Sequence, residues 1–579
     1  MKRSFLIKIL VATTIMGNYS CNDEFLEVPP QNSLNLVTLG NEQGINASLV
    51  SAYSMLDGWN ADWGNGPWGG QGSNWLFGDV MSDDAYKGTE PTDGAQWEAM
   101  ELFIWSPLDG DLDIKFRTDY EAINRANTTL KLLQSTDGLS QEFTDQITAE
   151  AKFLRGHYHF DLYKIFRYIP YYTETDTDFK KSNTTEAGDY IDPITNIIAD
   201  FQAAADVLPE TQDQTGRATK GAALAYLGKA YLYNKQYTEA KAAFDQVVNS
   251  GVYELQDCYH SVFSVAGENG FGGKRESLFA FQASSGDGSD DAQNANFPDR
   301  LTFPHAGSPF GCCGFRQPSQ NLVNAYKVDG NGLPQFTTFN NAVLAAGDVV
   351  DPRLDWVVCR PGVPVLNWEV PYSTDWVRAP GYAGVFSNKK NLYYANSGQE
   401  GTGATWVPTQ LSQLNVQLLR YADVLLMLAE AEVELGNLSR AMELVNLVRE
   451  RAGNCAQGPM QADPTKIAVP INDPGITWAT YDVQPYTSFP DANYAREAVR
   501  FERRLELAME GHRFFDLRRY GIAKQLMNDY MTVEKTRRTY IEKSPGFQDK
   551  HYLYPLPQNQ LDLSAKDKVP QLKQNPLWD

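Results

Sequence analysis

The sequence predicts an all-α scaffold of tetratricopeptide-like helical hairpins carrying a loop-rich, irregular lobe. Three observations predict it. Apolar residues recur at 3-4 spacing over long stretches. Two segments, 218–250 and 421–453, repeat one pattern of small and large residues. Between them, residues 260–410 lose that period and are punctuated by Gly, Pro, Asn, Ser and Asp.

Residues 1–20 read as an export signal. Lys2 and Arg3 make a basic start, and Phe5 to Met16 is mostly apolar. That run is too short to span a bilayer, which takes ~20 apolar residues. Ser20 before Cys21 fits lipoprotein processing, in which the thiol takes a diacylglyceryl group and the freed amine is acylated too. More than one acyl chain gives stable anchoring. Asn18 departs from the Leu, Val or Ile usual in such signals, and a plain signal with a cysteine nearby is the alternative. Residues 21–40 read as an extended tether, because Pro29 and Pro30 forbid a helix.

The folded body, 41–579, opens on a short helix near 46–56. It breaks into "DGWNADWGNGPWGGQGSNW", where glycines and Pro67 exclude a helix. Residues 119–134 and 141–168 read as two long helices. Leu154, Tyr158, Leu162, Ile165 and Phe166 share one face of the second. In 218–250, Leu227, Gly228, Tyr231, Ala240 and Phe244 fall at tetratricopeptide spacings. Gly228 and Ala240 let two antiparallel helices approach, and Tyr231 and Phe244 fill the space between. Ala429 and Ala441 repeat the same step in 421–453. Such units bury their faces only by stacking. The lobe holds strand-like pieces such as "SLFAF". Helices are expected again from Leu411 to about Ala452 and, after an irregular insert at 454–490, from about Tyr494 to Glu510. The body thus divides into N-terminal repeats (41–259), the lobe (260–410) and C-terminal repeats (411–579).

Fifty basic residues against 72 acidic ones leave a net charge of −22, which excludes nucleic acid as a partner; no basic stripe is present. Aromatic residues make up 12 % of the chain, enough to build platforms for sugars or peptides as well as cores. Five cysteines follow Cys21, so at least one lacks a partner within the chain.

Four stretches together resemble the SusD/RagB family of outer-membrane nutrient-binding lipoproteins. They are "CNDEFLEVPPQ", "AKFLRGHYHFDLYKIFRYIPYY", "RYADVLLMLAEAEVELG" with "NLVRERAG", and "ERRLELAMEGHRFFDLRRYG"; the ending "YLYPLPQNQLDL…LKQNPLWD" also matches. Asn22, Asp23 and Glu24 resemble the acidic export tags of surface lipoproteins in Bacteroidetes-type bacteria. The resemblance implies four tetratricopeptide-like hairpins, a variable loop-rich face, and outer-membrane lipid holding the protein at the cell surface through acylated Cys21. It also implies a partner, a SusC-type TonB-dependent transporter, and an oligosaccharide or, in some members, a peptide as ligand. No cofactor and no catalytic activity are implied.

Trp59, Trp63, Trp68 and Trp75 crowd one loop, with Asn60, Asn65, Gln71 and Asn74 among them. Indole faces pack on the C–H face of a pyranose while amides hydrogen-bond its hydroxyls. The competing reading is that these rings pin the loop to the helices or to the barrel partner. "SPFGCCGF" is the second candidate: Cys312 and Cys313 form either a vicinal disulfide or separate bonds to Cys258 or Cys359. Family members draw their ligand face from the early loop and this middle region, which adds Phe310. "HYHFD" reads as a structural helix rather than a metal site, since His157 and His159 point to different faces. The acidic clusters at 109–113 and 286–291 lack the spacing of a calcium loop. Glu502, Glu506 and Glu510 line one face with arginines nearby, as in a salt-bridged helix. No nucleophile elbow, Walker loop or zinc-protease pair is present.

Overall fold

Side-chain caps start the first helices. Asn41 accepts the Gly44 N–H at the head of α1 (Glu42–Tyr53), Asp109 accepts the Asp111 N–H at the head of α2 (Gly110–Ser135), and Ser140 accepts the Phe143 N–H at the head of α3 (Gln141–Phe166). The acidic cluster at 109–113 is therefore a helix start, and α2 begins earlier than its periodicity predicts. The computed structural model describes residues 39–58, 67–264, 275–284, 294–305, 307–368, 370–399, 411–457 and 469–578.

The helices stack in chain order. α1 lies along α2, with Ser48 Oγ 2.9 Å from Thr129 Oγ1, and α2 packs on α3. Then come α4 (Ile194–Val207), α5 (Lys220–Tyr233) and α6 (Tyr237–Asn249), each on the one before. The second predicted hairpin, α7 (Tyr421–Glu434) and α8 (Leu438–Ala452), packs directly on α6 across the intervening lobe. α9 (Ala492–Leu507) closes on both α7 and α8. Leu154, Tyr158, Leu162, Ile165 and Phe166 are all buried in the main core. Gly228 does what its spacing implies: a Cβ there would lie 2.5 Å from the Phe244 ring, which is itself buried.

The lobe has two apolar clusters of its own. One gathers Tyr259, Val262, Leu322, Tyr326 and Trp356 against Leu505 of α9. The other gathers Phe303, Phe310, Tyr372, Trp376 and Tyr393. Short two-stranded pairings join it to the scaffold. β1 (Ala85–Gly88) pairs antiparallel with β3 (Phe315–Pro318), and β2 (Ser277–Phe281, the predicted "SLFAF") pairs antiparallel with β4 (Val416–Arg420). β4 corrects the expectation of helix from Leu411, and the helix starts only at Tyr421. α9 likewise stops at Leu507, because Ala508 turns extended (ψ 136°) and Met509 takes φ +62°.

Cys258 and Cys455 form a disulfide across 197 residues of sequence, tying the end of the N-terminal repeats, just before the lobe, to the end of the second hairpin. Cys312 and Cys313 form the vicinal disulfide. Cys359 is free and buried, and burial pushes its thiol up to about 12. Among the described residues, no helix is long and apolar enough to cross a membrane.

Candidate ligand-binding site

The tryptophan loop begins and ends at one pinch. Gly58 (φ +81°) and Gly70 approach so closely that a Cβ on either would strike the other's carbonyl oxygen. Trp59 and Trp63 lie outside the described residues, as does Cys21. Past the pinch, the chain turns in and forms a π-helical turn, Trp75–Val80.

That turn corrects one expectation. Trp75 is 0 % exposed and meets Trp97 edge-to-face at 5.5 Å, so its indole is core and has no face for a ligand. Asn74 donates its amide to Asp161 Oδ1 at 3.0 Å, beside Lys115 and Lys164 on the same carboxylate, while its Oδ1 is unmatched among the described residues and it lines a small pocket with Ser73 and Gln417. Phe310 is corrected too. It is 0 % exposed, enclosed by Trp368 at 5.0 Å, Tyr393 at 5.5 Å and Phe303 at 5.7 Å. Trp68 is different. It is half-buried and stacks on the half-buried Phe297, with ring centroids 5.7 Å apart and planes 4° from parallel.

A pocket of about 60 Å³ is lined by Asn296 and Asp299, which flank Phe297 in the chain, and by Ser73, Asn388, Asn391 and Gln417. Gln417, on β4, is 7 % exposed, yet neither its Oε1 nor its Nε2 has a hydrogen-bond partner among the described residues. Asn391 donates to Thr302 Oγ1 at 2.6 Å and leaves its Oδ1 unmatched, and the Asn388 Nδ2 is unmatched as well. Buried polar atoms are normally paired, so these unmatched amides make the pocket the candidate site.

A roomier groove, about 390 Å³, lies between α2, the 170–181 segment and the C-terminal segment. Its floor is apolar (Phe116, Ile123, Leu572), and the Tyr120 and Tyr172 hydroxyls already donate to Pro170 O and Phe179 O.

The glutamates on and after α9 face inward. Glu506 receives Arg420 at 2.6 Å, Arg353 at 3.0 Å and Arg451; Glu502 receives Arg353 at 2.7 Å and Arg449 at 2.8 Å. Burial by itself would raise the Glu506 carboxyl, but the three arginines more than offset it and hold it at about 2. A carboxylate held so low is a poor general acid. His159 is engaged at both ring nitrogens, Nδ1 with Arg155 O at 3.0 Å and Nε2 accepting the Tyr172 N–H at 3.2 Å, so it keeps no lone pair for a metal.

The sequence profile of the SusD family matches residues 275–578, more than half of the chain. The chain belongs to the SusD family. A second profile, described as starch-binding associating with outer membrane, matches residues 24–232. Among SusD-like relatives, SusD-like protein P2 of Formosa agariphila is 24 % identical over 83 % of this chain and 83 % of its own. A SusD superfamily protein from Bacteroides vulgatus superposes with a TM-score of 0.68 at 21 % identity, covering 93 % of this chain and 99 % of its own. Surface glycan-binding protein A from Bacteroides thetaiotaomicron, solved in complex with laminarihexaose, superposes with a TM-score of 0.65 at 19 % identity, covering 92 % and 99 %. These likenesses establish the SusD fold for this chain. Sequence reasoning missed Phe297, Asn296, Asn391 and Gln417. The Asn-rich punctuation of the lobe was a signal for Asn296 and Asn391; Gln417, on β4 outside the lobe, had none.

Proposed function

We propose that this protein binds glycan at the surface of a bacterial outer membrane and hands it to a SusC-type TonB-dependent transporter. The observations that carry the reading are the Trp68–Phe297 stack and the unmatched amides of Gln417, Asn388 and Asn391 in the pocket that Asn296 and Asp299 also line. Burying roughly 50 Å² of ring face against a pyranose is worth on the order of 1–3 kcal/mol. Two or three such contacts give ~4–8 kcal/mol, or millimolar to micromolar binding. That strength suits a protein that must release its cargo. Membership of the SusD family supports the reading, as does the laminarihexaose complex of a neighbour with the same fold. The paired, buried glutamates favour binding over hydrolysis. Cys21 is the site of acylation, residues 21–40 the tether, and residues 41–579 act as one ligand-binding unit.

Isothermal titration against plant, host and microbial polysaccharides tests the binding. At least one should bind, with Trp68→Ala weakening it about tenfold or more; silence across the panel overturns the reading. Anchoring is read separately: Cys21→Ser should move the protein out of the membrane fraction, and the transporter should co-purify with the wild type.

A further inference from the structure

Polar groups around the pocket divide into two sets. The charged set is already committed inside the protein. Arg316 donates Nε to Asp79 Oδ2 at 2.9 Å and also reaches Met509 O. Asp299 accepts the Ser73 hydroxyl at 2.6 Å and stands 3.9 Å from Arg316 Nη1. Lys390 donates to Glu510 Oε1 at 2.5 Å and Glu506 O at 3.1 Å, and Glu510 accepts twice more from Arg420 at 2.8 Å. In the neutral set Ser73, Asn296 and Asn415 are engaged within the protein, and three amides keep unmatched atoms among the described residues. Gln417 offers both a donor and an acceptor, Asn391 an acceptor and Asn388 a donor.

We infer that this site is selective for uncharged polyhydroxylated chains and discriminates against carboxylated or sulfated ones; the inference rests on the glycan-binding reading above. A hydroxyl is both donor and acceptor, and it matches the open amides without disturbing a charge. An incoming carboxylate or sulfate needs a cation. Diverting Lys390 strips a partner from buried Glu510, and diverting Arg316 leaves Asp79 uncompensated in a site with 0 % exposure. The chain's net charge of −22 opposes the same ligands at longer range.

The test is titration of the mature full-length protein with polymers in matched pairs: dextran and dextran sulfate, mannan and alginate, arabinoxylan and glucuronoxylan, each at low and high salt. A neutral member should bind and its anionic counterpart bind at least tenfold more weakly. Gln417→Leu should lower the neutral affinity about tenfold. Asn391→Ala, on a half-buried loop residue, repeats the test should Gln417→Leu fail to fold by circular dichroism. Equal or preferential binding of the anionic members overturns the selectivity while leaving glycan binding intact. A neutral affinity unmoved by a folded Gln417 or Asn391 variant overturns the assignment to these amides. Silence toward every polymer overturns the glycan reading and the inference with it.

Discussion

Arg420 and Glu506 form an ion pair in the interior, Nη1 to Oε1 2.6 Å, where β4 meets α9 and both side chains are sealed from solvent. Glu506 is also the partner of Arg353 and Arg451, so its loss leaves three guanidinium groups short of a counter-charge. Glu506→Gln should cost roughly 3–5 kcal/mol of unfolding free energy, the range for breaking a buried pair from one side. Urea unfolding of the variant against wild type measures it.

That cost should depend on pH in a defined direction. The folded-state Glu506 carboxyl sits at about 2, below its ordinary 4.5. A depressed carboxylate contributes stability that is whole above about 4.5 and lost as pH falls toward 2. The gap between wild type and Glu506→Gln should therefore be constant from pH 7 to about 5 and close between about 4.5 and 2. A gap that widens on acidification contradicts the assignment.

Cys258–Cys455 closes 197 residues, whereas Cys312–Cys313 closes none. A cross-link that spans a long stretch restricts the unfolded chain most. Replacing Cys258 and Cys455 together by Ala should lower stability by roughly 2–5 kcal/mol. The Cys312–Cys313 double Ala variant should unfold at nearly the wild-type temperature. Scanning calorimetry of the two variants side by side decides it.

Trp68 and Trp75 should fail in different ways. Trp75→Ala empties a fully buried indole site and should cost about 3–5 kcal/mol. Trp68→Ala removes a half-buried ring, so it should weaken ligand about tenfold with little change in melting temperature. Paired titration and thermal melts of each variant separate core from surface.

Gly228→Ala puts a methyl group 2.5 Å from the Phe244 ring and should cost about 1–3 kcal/mol by overpacking. The same change at Gly138, which has open space around its Cβ position, carries no such clash; its cost comes only from a φ of +80°. Denaturation midpoints of the two variants compare close approach with backbone strain.

The hairpins were legible because their information is local. The step from Gly228 to Ala240 encodes a contact between two consecutive helices, and α5 and α6 follow it. β4 was not legible. Its five residues run straight into the apolar face of α7, and a short buried strand abutting a helix reads as one apolar run. Trp75 misled for a related reason. A tryptophan in a Gly-rich loop has the composition of a platform, but Trp97 and Phe315 cover it, and no local pattern announces them. Phe297 meets Trp68 across more than two hundred residues, and the Cys258–Cys455 pairing spans nearly as many. Spacing carries no record of partners that far apart.

The pocket draws Ser73, Asn296, Asn391 and Gln417 from four separate stretches, three of them connecting segments and one a short strand, while the stacked helices carry none of the four. Insertions or exchanges in one connector leave the other three in register. Descendants of one ancestor can thus diverge in diet faster than in architecture.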